Sequence, residues 1–97
     1  YLIADDGAGY AGMQVLYEDA EITNIAVVPD RRGQGIGGAL LDALIGEARA
    51  RWATRLLLEV NEQNPAMRLY REKGFAPIAT RKQYYKSGTA VVMAKNI

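Results

Sequence analysis

Ninety-seven residues with a net charge of +1 make one small domain, with room for a modest core and no long-range field to capture nucleic acid. Apolar residues at 49% and charged residues at 24% are ordinary for a globular chain, and neither a bilayer-spanning apolar run nor a signal-peptide pattern is present, so a cytoplasmic protein without membrane contact is expected. With no Cys and no His, disulfide frameworks, thiolate nucleophiles, Ser-His-Asp triads and the usual zinc sites are excluded, no metal is expected, and acid-base work falls to carboxylates, Tyr, Lys or water.

Tyr1 to Ala4 reads as a short strand, stopped by the turn signature Asp5-Asp6-Gly7. The chain opens on Tyr1 rather than Met, already inside that strand, and an N-terminal part is expected to be missing. Gly9 to Tyr17 is a second strand, with Tyr10, Gly12, Gln14 and Leu16 on one face and Ala11, Met13, Val15 and Tyr17 on the other. After an acidic turn, Glu18-Asp19-Ala20, a third strand runs from Glu21 to Val28 and completes an antiparallel meander. Two-sided apolarity over Ile25 to Val28 predicts a strand buried on both faces near the middle of the sheet.

From Gln34 to about Ala53, Ile36, Leu40, Leu41, Leu44, Ile45, Ala48 and Trp52 recur at helical spacing, which predicts an amphipathic helix of roughly five turns with Trp52 as a core anchor. Arg55 to Val60 is the next strand. A second helix is expected from Pro65 to about Lys73, with Asn64 as N-cap and Gly74 as the C′ stop. Phe75 to Tyr85 and Thr89 to Lys95 are two further strands around the turn Lys86-Ser87-Gly88. The fold class is α/β, a mixed sheet in the order β-β-β-α-β-α-β-β, with a right-handed crossover joining parallel neighbours through the first helix.

Chemistry concentrates where the third strand ends. Pro29 is followed by glycines at 33, 35, 37 and 38 and then by the helix, so backbone without Cβ and a helix N-terminus are set up to hold a phosphate or pyrophosphate beside Arg31 and Arg32. The nucleotide-triphosphatase pattern G-x-x-x-x-G-K-S/T is absent. Gly33-Gln34-Gly35-Ile36-Gly37-Gly38 fits the letters of the dinucleotide fingerprint, but the acidic residue due about 20 positions on, at the end of a second strand, falls inside a helix instead.

Arg32-Gly33-Gln34-Gly35-Ile36-Gly37 does resemble the R-x-x-G-x-G acyl-CoA loop of the Gcn5-related N-acetyltransferases (GNAT). Asn24-Ile25-Ala26-Val27 before Pro29, Leu58-Glu59-Val60, and Ala66-Met67-Arg68-Leu69-Tyr70 followed by Gly74-Phe75 are similar to that family's motifs in their expected order, so the resemblance covers nearly the whole chain. Arg81 to Tyr85 and Ala90 to Ala94 resemble one branch, the RimI-type ribosomal-protein N-terminal alanine acetyltransferases.

The resemblance implies the acyl-CoA N-acyltransferase fold in N-terminally truncated form, with residues 1–97 as a single acetyl-CoA-binding domain. It implies acetyl transfer from acetyl-CoA to an amine, with a protein or peptide N-terminus, such as that of a ribosomal protein, as partner. Glu59 would be the general base, directly or through water, with Glu21 as second candidate; Tyr70 would protonate the leaving thiolate. Ile25, Ala26 and Val27 would pair with the pantetheine arm, and Arg32, Gly33, Gln34, Gly35, Ile36, Gly37 and Gly38 would hold the pyrophosphate. The family's asparagine contact to CoA falls on Asn64, or its place is taken by Gln63, because the stretch from Glu59 to Ala66 is one residue short. Tyr84 and Tyr85 would hold the incoming peptide.

On residue type alone, Glu59 is also a solvated strand carboxylate, Tyr70 a core aromatic, and Tyr84 and Tyr85 strand packing. The family's segment that walls the acceptor site is not matched here. Two other readings therefore stand beside the enzyme: a fragment that binds acetyl-CoA without turnover or pairs an exposed sheet edge with another chain, and an acetyltransferase for a small-molecule amine.

Overall fold

The computed structural model describes residues 2–5, 7–85 and 88–97, with side chains for 7–82 and 88–97. Strands β1 (Leu2–Asp5), β2 (Gly9–Leu16) and β3 (Asp19–Val27) form the expected antiparallel meander, and a single 3₁₀ turn (Pro29–Arg31) leads to helix α1 (Ile36–Ala50). Strand β4 (Arg55–Asn61), helix α2 (Ala66–Glu72) and strands β5 (Ala76–Tyr85) and β6 (Gly88–Asn96) follow. The sheet has six strands in the order β1-β2-β3-β4-β6-β5. β3 and β4 are the parallel pair and the remaining pairings are antiparallel.

One apolar face carries the core. Ala11 and Met13 of β2, Ala20 and Ile22 of β3, Leu56, Leu58 and Val60 of β4, and Val91 and Met93 of β6 pack with Leu40, Leu41, Leu44 and Ala48 of α1 and with Met67 and Tyr70 of α2. The helical spacing of α1 is met by burial of Ile36, Leu40, Leu41, Leu44, Ile45 and Ala48. Trp52 departs from it. The helix stops at Ala50, Trp52 takes a left-handed φ of 66°, and the residue is 86% exposed. Ala53 fills the last core position instead, because a small residue lets the chain turn closely into β4.

The acidic turn is also shorter than its composition suggests. Tyr17 adopts φ 56° at the reversal, and Asp19 and Ala20 already belong to β3. Asp19 accepts two hydrogen bonds from Arg55, from Nε to Oδ1 and from Nη2 to Oδ2, each 3.2 Å, and so clasps β3 to β4 at the start of their parallel pairing.

That pairing is brief. Asp19, Ala20 and Glu21 match Arg55, Leu56 and Leu57, and no further register pair joins the two strands. Beyond it, β3 bends through a bulge: Met13 faces Ile22 but Gly12 faces Asn24, leaving Thr23 as the extra residue. The bulge moves the inward set from Ala20 and Ile22 to Ile25 and Val27. Ile25, Ala26 and Val27 are therefore half-buried and Val28 is exposed, not enclosed on both faces, because β4 has diverged and left the end of β3 beside an open gap.

Candidate active site

The diverging strands create two cavities with shared walls. One, of about 440 Å³, is lined by Ile25, Ala26, Val27, Arg32, Gly37, Asn64, Pro65, Ala66, Leu69 and Tyr70. The other, of about 310 Å³, is lined by Ile22 to Ile25 of β3, Leu58 to Asn61 of β4, Asn64 and Tyr70. Its lining takes Leu58 and Val60 from the core side of β4 and Glu59 from the other, so the gap opens through the sheet. Ile25, Asn64 and Tyr70 belong to both cavities and mark where they meet.

The glycine loop meets the larger cavity at Arg32 and Gly37. Gly33 and Gly35 have φ of 81° and 80°, left-handed values that any side chain would strain. The first intrahelical bond runs from the Ala39 N–H to the Gly35 carbonyl at 3.0 Å, so the N–H groups of Ile36, Gly37 and Gly38 precede it and are open to a ligand or water at the positive end of α1. Arg32 Nε donates to the Val27 carbonyl at 3.1 Å, which pins the loop to the end of β3. Arg31 Nε donates to Gln34 Oε1, also at 3.1 Å.

Of the expected ligand-binding residues, Ile25, Ala26, Val27, Arg32, Gly37 and Asn64 are brought together on the larger cavity. Gly33, Gln34, Gly35 and Gly38 belong to the loop and first helical turn from which Arg32 and Gly37 reach it, and the Ile36 side chain turns into the core, leaving its backbone N–H at the loop. Asn64 Oδ1 accepts the Ala66 N–H at 2.9 Å and so caps α2, as its position before Pro65 suggests. Gln63 lines neither cavity. Tyr84 and Tyr85 continue β5, but their side chains lie outside the described residues.

Tyr70 is 6% exposed and meets Phe75 edge-on, with ring centroids 6.1 Å apart. Burial pushes its hydroxyl above the ordinary tyrosine value, so it stays protonated at neutral pH. Glu59 faces the smaller cavity with its side chain 27% exposed and its Oε2 3.7 Å from Arg81 Nη1. Glu21 lies on a separate cavity with Leu57. The site thus joins a glycine loop at a helix N-terminus, two adjoining cavities, a carboxylate and a protonated phenol; among the described residues, no group of three or more Asp or Glu is arranged to hold a metal.

Sequence reasoning gave no site role to Pro65, Ala66, Leu69 or Arg81, although it named each of them. Ala66, Leu69 and Tyr70 stand at i, i+3 and i+4, so one helical face was there to be read. Arg81 gave no such signal, because its distance from Glu59 depends on strand order.

The sequence and the fold recur in known proteins. The Acetyltransferase (GNAT) family matches residues 1–75. The chain belongs to that family. A Bacillus subtilis (strain 168) protein, provisionally named a ribosomal protein bS18-alanine N-acetyltransferase, is 43% identical over 89 residues, which cover 88% of this chain and 59% of that protein. The Escherichia coli (strain K12) ribosomal protein bS18-alanine N-acetyltransferase is 40% identical over 92 residues, covering 90% of this chain and 62% of the relative. The crystal structure of the Escherichia coli ribosomal-protein-S18-alanine N-acetyltransferase superposes with a TM-score of 0.88 at 39% identity, covering 97% of this GNAT chain and 65% of that one. The chain therefore spans about three fifths of the length of the curated relatives it matches.

Proposed function

We propose that residues 1–97 form the acetyl-CoA-binding part of a GNAT domain that moves an acetyl group to the α-amine of a protein N-terminus, a ribosomal protein being the acceptor its relatives are named for. The observation that carries this reading is the junction of two cavities at Ile25, Asn64 and Tyr70, with an anion-binding loop at one end and Glu59 in the other. A cosubstrate with a phosphate-rich head and a thioester tail suits the first, and an incoming amine the second.

In this mechanism the loop N–H groups and Arg32 take the pyrophosphate, the Ile25 to Val27 backbone holds the pantetheine arm, and the Asn64 amide lies along its path. The amine nitrogen attacks the thioester carbonyl. A C–N bond forms, the C–S bond breaks, and no covalent enzyme intermediate is needed. Glu59 takes the proton that the nitrogen sheds. An α-amine, with a pKa of about 8, asks far less of that base than a lysine at about 10.4. Tyr70 donates to the departing thiolate. The enclosure that holds Tyr70 protonated also disfavours a bare thiolate, so the leaving sulfur departs as the neutral thiol. The products are the N-acetylated chain and the free CoA thiol.

The test is thiol release from acetyl-CoA by this chain, with and without a short peptide bearing a free N-terminal alanine. Peptide-dependent release that vanishes when the α-amine is blocked is the expected result. Binding of acetyl-CoA without release in the same sample would reduce the chain to a cofactor-binding module, and release driven instead by a small amine would overturn the acceptor.

A further inference from the structure

Arg81 stands beside the Glu59 cavity with no part in the mechanism above. β6 separates their strands, which puts β4 and β5 two strand spacings, roughly 9.6 Å, apart. On β6, Glu59 is opposite Val92 and Arg81 opposite Ala90, two positions apart and therefore on one face of the sheet. Ala90 is too short to stand between them, and the long arginine side chain crosses over it to bring Nη1 within 3.7 Å of Glu59 Oε2. Its neighbour Lys82 is exposed, and the register of β5 with β6 breaks directly after Arg81.

We propose that Arg81 is a positioning residue: it holds Oε2 of Glu59 from the β5 side, which turns the other carboxylate oxygen to the gap between β3 and β4. At 3.7 Å the pair is beyond hydrogen-bonding range, so Arg81 attracts the carboxylate without using the lone pair that must accept the amine proton. The Arg81 side chain is 60% exposed, which screens the attraction, so its effect is to select a rotamer rather than to impose a strong field. Among the described residues, Tyr70 is the other titratable group lining that cavity, and it sits across the gap on α2, while Arg81 acts on the carboxylate from the β5 side. The proposal rests on Glu59 as the base.

Steady-state kinetics and side-chain NMR on the full chain test it. Replacing Arg81→Ala should lower kcat about tenfold to a hundredfold with KM for acetyl-CoA unchanged, the scale of a misplaced catalytic group. Arg81→Lys should recover part of that loss and Lys82→Ala should change nothing. In a Glu59→Gln background, Arg81→Ala should cause no further loss, and Glu59→Gln should move the Arg81 Nε–H resonance. A wild-type kcat in Arg81→Ala, a loss additive with Glu59→Gln, or a rise confined to the acceptor KM would overturn the proposal while leaving Glu59 as base. A wild-type rate in Glu59→Gln, or no turnover by the unsubstituted chain, would remove the reading beneath it.

Discussion

Tyr70 stands where packing and the proposed chemistry meet. Its ring belongs to the core, edge-on to Phe75, while the same residue lines both cavities. Tyr70→Phe keeps the ring and removes the proton donor, so acetyl transfer should slow by about a hundredfold, as for a lost general acid, while calorimetry finds acetyl-CoA affinity nearly unchanged. Because burial raises its folded pKa, folding favours the protonated phenol: stability is full below the ordinary value of about 10 and falls as pH rises through that value toward the folded one. Urea midpoints from pH 8 to 11 should therefore show the wild type losing ground to Tyr70→Phe only at the alkaline end. An unchanged difference between the two would mean that the phenol is not held protonated by the fold.

At the scale of elements, the site depends on how the loop enters α1. A Cβ added at Gly37 would lie 3.4 Å from Leu69 Cδ2 and 3.9 Å from Val27 Cγ2, on the wall of the larger cavity. Gly37→Leu should exclude the cosubstrate by occupying its space, with acetyl-CoA affinity lost in a titration and the far-UV spectrum retained; unchanged affinity would remove the loop from the site. The helix beyond shows what apolar spacing can and cannot say. Leu41→Ala, at a fully buried position, should cost about 2–5 kcal/mol, whereas Trp52→Ala should fall within about 0.5 kcal/mol in chemical denaturation. Both residues fit the same period of 3.6, and only the end of the helix at Ala50 separates them.

Across the whole molecule, the decisive feature is the failure of β3 and β4 to stay together. Their three register pairs, fastened by Asp19 and Arg55, hold one end of the sheet closed, and the Thr23 bulge turns β3 away at the other. The local pattern by itself determined a great deal: the order of strands and helices, the buried stripe of α1, the Asn64 cap, and the glycine loop at a helix N-terminus. These follow from periodicity, φ preference and helix-end chemistry, all local properties of a chain. Tertiary structure decided the rest: that Ile25 to Val27 border a gap rather than a packed interior, that Ile25, Asn64 and Tyr70 join two cavities, and that Arg81 reaches Glu59. Each of these depends on which strands become neighbours and where they part. β6 inserts between β4 and β5 although it follows both in the chain, and residues far apart in sequence meet only through that order.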